Sequence, residues 1–227
     1  MNLYIIILNL AATSKIFDSC NEQIVSAVIA VSKYYYLTLN HFLAAGRKEL
    51  KKMYDDVYEL SVQAKDMKDN LYKVIVQMQD DALDSGRHYI QVVNAVCEIC
   101  NCTLHIYKPA LKFLKNNRTS FSDVQIAELT ELNEELSVFF NLSLHTLKNR
   151  KYENLPDEIH KDKMTVLTML DDLQRKQLKR IKRQEVSTPN SILYLHILSE
   201  TKNLTLFTVN LIKANRNFYG AVSEKRN

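Results

Sequence analysis

Punctuation is nearly absent from this chain. Three glycines and three prolines serve 227 residues. From about Glu22 to Tyr219, apolar residues recur at steps of three and four. That spacing puts them on one face of a helix, whereas a half-buried strand needs strict alternation. The chain therefore offers no glycine-rich phosphate loop, no dinucleotide fingerprint and no alternating segment for a doubly wound sheet. An apolar share of 46% is enough to bury a core. The predicted class is all-α, and most enzyme machinery is excluded with the loops that would carry it.

Six helices are predicted. The first covers about residues 21–45, with Gly46 as its left-handed cap. The second covers about 47–82. It carries a seam of Leu50, Met53, Val57, Leu60, Ala64, Met67, Leu71, Val74 and Met78, a rod about 50 Å long at 1.5 Å per residue. Asp84-Ser85-Gly86 reads as a turn. The third helix covers about 87–115, with Pro109 late in it as a point of kinking. After a mid-chain loop over 116–121, Ser122 and Gln125 form a capping box for the fourth helix. That helix carries Ile126, Leu129, Leu132, Leu136, Phe139 and Leu147. The fifth covers about 156–185, with Met164, Leu167, Leu170, Leu178 and Ile181 as its apolar positions. The sixth opens on Thr188 as cap and Pro189 in the first turn. It runs to about Tyr219 with Leu193, Ile197, Leu204 and Leu211 on one face.

The order is three helices, a loop, then three more. Sliding the chain by 105 residues lays the third helix on the sixth: Tyr89 on Tyr194, Val92 on Ile197, Val93 on Leu198, Ile99 on Leu204, Thr103 on Thr208 and Leu104 on Val209. Apolar matches between helices arise easily, so this points only weakly to a duplicated unit. The domain expectation is an apolar leader or linker over 1–20, a helical body over 21–219 with halves of about 21–116 and 120–219, and a frayed tail over 220–227. The run Leu3-Tyr4-Ile5-Ile6-Ile7-Leu8 is shorter than the roughly 20 apolar residues a membrane span requires. It also lacks the basic start of a secretory signal. It fits a short buried element, the remnant of an upstream segment or an interfacial anchor.

The strongest charge feature is the run from Arg175 to Arg183. It holds six cations, Arg175, Lys176, Lys179, Arg180, Lys182 and Arg183, at the end of the fifth helix. It can grip phosphate, lipid headgroups or an acidic partner. It can equally be a solvated face that complements the helix C-terminal dipole. The second reading is favoured, because Leu178 and Ile181 suggest that the segment still packs one face. The net charge of +4 is low for a dedicated nucleic-acid binder.

Paired acids at Asp55-Asp56, Asp80-Asp81 and Asp171-Asp172, and Glu131 beside Glu134-Glu135, lack the Glu-x-x-His partner of carboxylate-bridged bundles. The six histidines, His41, His88, His105, His145, His160 and His196, show no HExxH or triad order. Of the triple Tyr34-Tyr35-Tyr36, at most two can be buried together, because successive residues point to different helix faces. Cys97 and Cys100 have the spacing of half a zinc site, but no second pair exists. With Cys102 they read as buried hydrophobes on a helix, and together with Cys20 they suggest no disulfide framework. No catalytic residue, metal ligand or cofactor is assigned.

The stretch Lys179-Arg180-Ile181-Lys182-Arg183, then Thr188, Asn190-Ser191-Ile192-Leu193-Tyr194-Leu195, Leu198-Ser199-Glu200-Thr201-Lys202-Asn203-Leu204 and Val209-Asn210-Leu211, resembles the last helix of PhoU-like domains. Such domains form the C-terminal soluble region of bacterial inorganic phosphate transporters and sodium/phosphate cotransporters. Lys68-Asp69-Asn70-Leu71-Tyr72-Lys73 and the segment from Gly86 to Val93 resemble the second and third helices of the transporter-fused form. The resemblance covers about residues 33–218 and rests on long patterns rather than one diagnostic motif. It implies six long helices forming two side-by-side antiparallel three-helix bundles. It also implies a non-enzymatic role in phosphate transport, exerted on a membrane phosphate transporter in cis or in trans at the cytoplasmic face of the membrane. An anionic lipid surface and a second copy of the chain are further partners compatible with the reading; nucleic acid is not. The family's metal-binding helices carry a glutamate and an aspartate four residues apart. Those positions fall here on Lys202 and Leu206, with only Asn210 kept, and on Cys97 and Asn101. The metal clusters are therefore not implied. The alternative reading is a helical scaffold or dimerisation module with a basic partner-binding face.

Overall fold

A computed structural model describes residues 22–40, 42, 47–76, 83–115, 121–150, 152 and 155–224. The apolar leader, Cys20, His41, the Gly46 cap, Asp80-Asp81 and most of the mid-chain loop lie outside the described residues. The described backbone is helical: α1 (residues 22–40), α2 (Arg47–Val76), α3 (Leu83–Lys115), α4 (Asp123–Asn149), α5 (Leu155–Lys182) and α6 (Thr188–Glu224). Among the described residues, no helix is long and apolar enough to cross a membrane.

The helix ends follow from local chemistry. Ser122 accepts from the Gln125 backbone while the Gln125 side chain accepts from Ser122 N–H, so the predicted capping box opens α4. The predicted turn at Asp84-Ser85-Gly86 is instead the first turn of α3. Glycine in a helix is a propensity cost of about 1 kcal/mol, which tertiary packing overrides. Thr188 is not the cap of α6. Ser187 is: its hydroxyl accepts from Asn190 N–H, and its carbonyl accepts from Ser191 N–H. The helix that Tyr219 was expected to end continues through Gly220 to Glu224.

The end of α5 falls at Lys182, three residues before the predicted one. Gln184 takes a left-handed φ of 58°. Gln184 N–H donates to Ile181 C=O and Glu185 N–H to Arg180 C=O, a Schellman closure made without glycine.

Pro109 lies inside α3. Having no N–H, it leaves the carbonyl four residues earlier, that of His105, without its helical donor. His196 Nε2 on α6 approaches that carbonyl at 3.0 Å. Beside it, His105 Nδ1 lies 3.5 Å from Glu200. The gap that proline opens in one helix is thus used to bind another.

α3 and α6 form the most extensive interface; α2 packs on α3, and α4, α5 and α6 pack on one another. α1 reaches across the molecule. Tyr35 is hydrogen-bonded to Thr201 of α6 at 2.6 Å, Tyr107 of α3 donates to Tyr34 C=O, and Asn133 of α4 donates to Tyr36 C=O and Asn40. Of the tyrosine triple, Tyr35 is buried and Tyr36 exposed. One continuous core runs from Ile24 to Ala214.

Five of the six pairs matched by the 105-residue slide are buried in both helices, among them Val92 and Ile197, Ile99 and Leu204, and Thr103 and Thr208, while Leu104 is only partly buried opposite buried Val209. The same slide also relates α1 to α4, which the sequence had not suggested. Ile24 matches Leu129, Val31 matches Leu136 and Tyr35 matches Phe140, all buried. Hydroxyl back-bonds repeat as well. Thr38 donates to Tyr34 C=O as Ser143 does to Phe139 C=O; Thr103 donates to Ile99 C=O as Thr208 does to Leu204 C=O.

Candidate functional site

One end of the molecule gathers the last turns of α3 and α5 with the first turns of α4 and α6. Its interior is aromatic: Phe42, Phe113, Phe121 and Tyr194 meet in a chain of ring contacts between 5.3 and 5.9 Å. Under this plug lies a polar network. Gln125 donates to Gln177 at 3.1 Å and Gln177 donates to Ser191 at 3.2 Å, stitching α4, α5 and α6 together. Glu128, with a side chain only 8% exposed, accepts from Arg180 at 2.5 Å and from the Tyr194 hydroxyl at 2.6 Å. Charge-assisted bonds of that length satisfy a carboxylate that burial would otherwise penalise heavily. The bond to Glu128 raises the Arg180 pKa above its ordinary value. Burial, reinforced by Glu128, raises that of Tyr194.

The network divides the basic run. Arg180 is turned inward, its side chain 14% exposed. Lys176 leans toward the same carboxylate, 3.8 Å from Glu128, with an exposed stem. The other four face water. Arg175 pairs with Asp172 at 3.4 Å and Arg183 with Glu185 at 3.7 Å, both at exposed positions worth little. Lys179 and Lys182 are exposed and make no ion pair among the described residues.

The expectation that Leu178 and Ile181 pack one face of α5 is corrected. Leu178 is 52% exposed and Ile181 39%, and Met164 is exposed too. The buried seam is Ile159, Val166, Leu170, Leu173 and Gln177. The core position after Leu173 is filled by a hydrogen-bonded glutamine, so the apolar pattern continues visibly onto the wrong face. Ile192, next to Ser191 on α6, is 65% exposed. Gln177 and Ser191, which precede Leu178 and Ile192 in the chain, are bonded across the α5–α6 contact.

The other sequence candidates are spent locally. Asp171 meets Lys202 at 3.4 Å. Glu131, Glu134 and Glu135 are exposed. His88, His145 and His160 contact side chains three or four residues along their own helices. Cys97 donates to Ala64 C=O on α2 at 3.1 Å, and Cys97, Cys100 and Cys102 are free thiols. Burial pushes the Cys100 thiol up to about 12 and raises those of Cys97 and Cys102, the last also through Glu200. Such thiols are poor nucleophiles. Among the described residues, no group of three or more His, Cys, Asp or Glu is placed to hold a metal ion.

Of the buried members, Gln125 is expected from the sequence only as a capping residue and Ser191 only as part of a family pattern, while Glu128 and Gln177 are not singled out at all. The available signal was polar residues standing at core-facing positions of apolar helices. No protein-family model matches the chain, and no match was found among the curated proteins.

Proposed function

We propose that this chain is a PhoU-like helical domain working with inorganic phosphate transport, either as the soluble part of a membrane phosphate transporter or as a separate protein that regulates one. The observation that carries the reading is the single 105-residue offset that relates α1 to α4 and α3 to α6 down to their hydroxyl back-bonds. Such a correspondence is what two equivalent trios, α1–α3 and α4–α6, joined through α3 and α6, would produce. The family resemblance implies that arrangement.

In this reading the protein does no chemistry of its own. It makes different contacts with two conformations of a transporter and shifts their balance. The test is uptake of radiolabelled phosphate by the host, with the gene removed and then restored. A changed uptake rate that the restored chain reverses supports the reading. Unchanged uptake under both phosphate limitation and excess, with no transporter co-purifying, overturns it.

A second reading, a helical scaffold or dimerisation module, is favoured by Val124 and Val138. These exposed residues stand two heptads apart on α4. Sedimentation at rising concentration would reveal the dimer, and Val138→Asp would abolish it.

A further inference from the structure

We propose that the α5–α6 corner docks on an anionic lipid bilayer, inserting Leu178, Ile181 and Ile192 at the headgroup boundary while Lys179, Lys182 and Arg183 bind lipid phosphates. The inference stands apart from the phosphate-transport reading and needs no transporter.

Three observations carry it. First, large aliphatic side chains project into water beside cations on the same corner. An interfacial surface combines the two: apolar groups sink to the acyl boundary while the long basic side chains stay level with the phosphates. A free anion would make no use of the aliphatic groups, and neither would a nucleic acid. Second, the corner's inner cation is already neutralised by Glu128, whereas Lys179 and Lys182 have no acid partner among the described residues. Their charge is therefore available to a negative surface. Third, the charge does not follow the 105-residue correspondence. The slide lays 175–183 on 70–78, where Lys73 is the one cation. The basic character is therefore particular to this helix end, and Lys112 and Lys115 of α3 stand exposed at the same end of the molecule.

The test is co-sedimentation of the full chain with vesicles of phosphatidylcholine alone and of phosphatidylcholine mixed with phosphatidylglycerol. Binding is expected to the mixed vesicles only, weakening as salt is raised. The triple variant Lys179→Gln, Lys182→Gln, Arg183→Gln should weaken it about fivefold per cation, or about a hundredfold in all. Leu178→Ser with Ile192→Ser should weaken it at every salt concentration. A charge-matched control at the opposite end of α3 and α6, Arg87→Gln, Lys213→Gln, Arg216→Gln, should bind within about twofold of the parent once the small loss of overall charge is allowed for. All these side chains are exposed, so far-ultraviolet circular dichroism should show every variant folded. Failure to bind mixed vesicles overturns the proposal, as does equal binding to neutral ones or equal loss in the opposite-end control. Self-association through Leu178 and Ile192 in the absence of lipid would also overturn it, in favour of a protein partner.

Discussion

Glu128 shows how one residue can decide what a charged segment is available to do. A carboxylate at a core-facing position of α4 draws Arg180 out of the basic run and ties it to Tyr194. Removing one member of such a buried pair leaves the other charge without a partner, so Glu128→Ala is expected to lower stability by about 3 kcal/mol. Glu128→Gln keeps shape and one acceptor and should cost less, about 1–2 kcal/mol. Urea unfolding measures both, and equal losses would show that the charge itself is unimportant. The buried acidic groups make a second prediction. Cys100, Cys102, Tyr35, Tyr107 and Tyr194 all hold their protons more tightly folded than unfolded, chiefly through burial. The contribution of these groups to stability should therefore be constant below pH 9.0, the ordinary thiol value, and be lost as pH climbs toward the folded Cys100 value of about 12. Ellipticity followed against pH should collapse together with the last, cooperative step in phenolate absorbance, that of the buried tyrosines. Phenolate absorbance reaching its full value before ellipticity is lost would show that the buried tyrosines are more open than they stand here.

At the scale of single helices, much was legible because local rules decide it. The Ser122–Gln125 box is written in four residues. The apolar seams of α4 and α6 fall where three-and-four spacing puts them, since Leu129, Leu132, Leu136, Leu193, Ile197, Leu204 and Leu211 are all buried. Some of what failed depended on partners remote in sequence, and some on local closures that break the usual residue preferences. Gln177 occupies a core position because Gln125 and Ser191 satisfy it, and nothing near Gln177 announces either. Gln184 closes α5 in a left-handed conformation that sequence rules reserve for glycine. Pro109 was legible as a break in hydrogen bonding but not in its use, because the donor that fills the gap, His196, lies on another helix. A double-mutant cycle tests that use. His196→Ala should cost about 1 kcal/mol by leaving the His105 carbonyl without its donor. In a Pro109→Ala background, where α3 can supply its own N–H, the same change should cost measurably less. Additive losses would mean that the carbonyl and the imidazole are neighbours without being coupled.

For the whole molecule, helical class could be read from spacing alone, but the grouping of the helices could not. Any amphipathic helix can bury its face on several neighbours. What groups them here is a set of long-range contacts. α3 lies along α6, and α1 touches α3, α4 and α6 through Tyr34, Tyr35, Tyr36 and Asn40. A repeat of two trios could have produced two cores that melt separately. The continuous cluster from Ile24 to Ala214 argues otherwise, since α1 and α6 share it and are pinned by the Tyr35–Thr201 bond. The chain is therefore expected to unfold in one transition, with tyrosine fluorescence and far-ultraviolet circular dichroism tracing the same curve. Leu39→Ala in α1 and Leu204→Ala in α6 each empty a fully buried position. Each should destabilise by about 2–5 kcal/mol, and each should shift the whole curve rather than part of it. If Leu39→Ala moved one of two resolved transitions and Leu204→Ala the other, the halves would be separate folding units. The contacts made by α1 would then be a docking interface between them rather than part of one core.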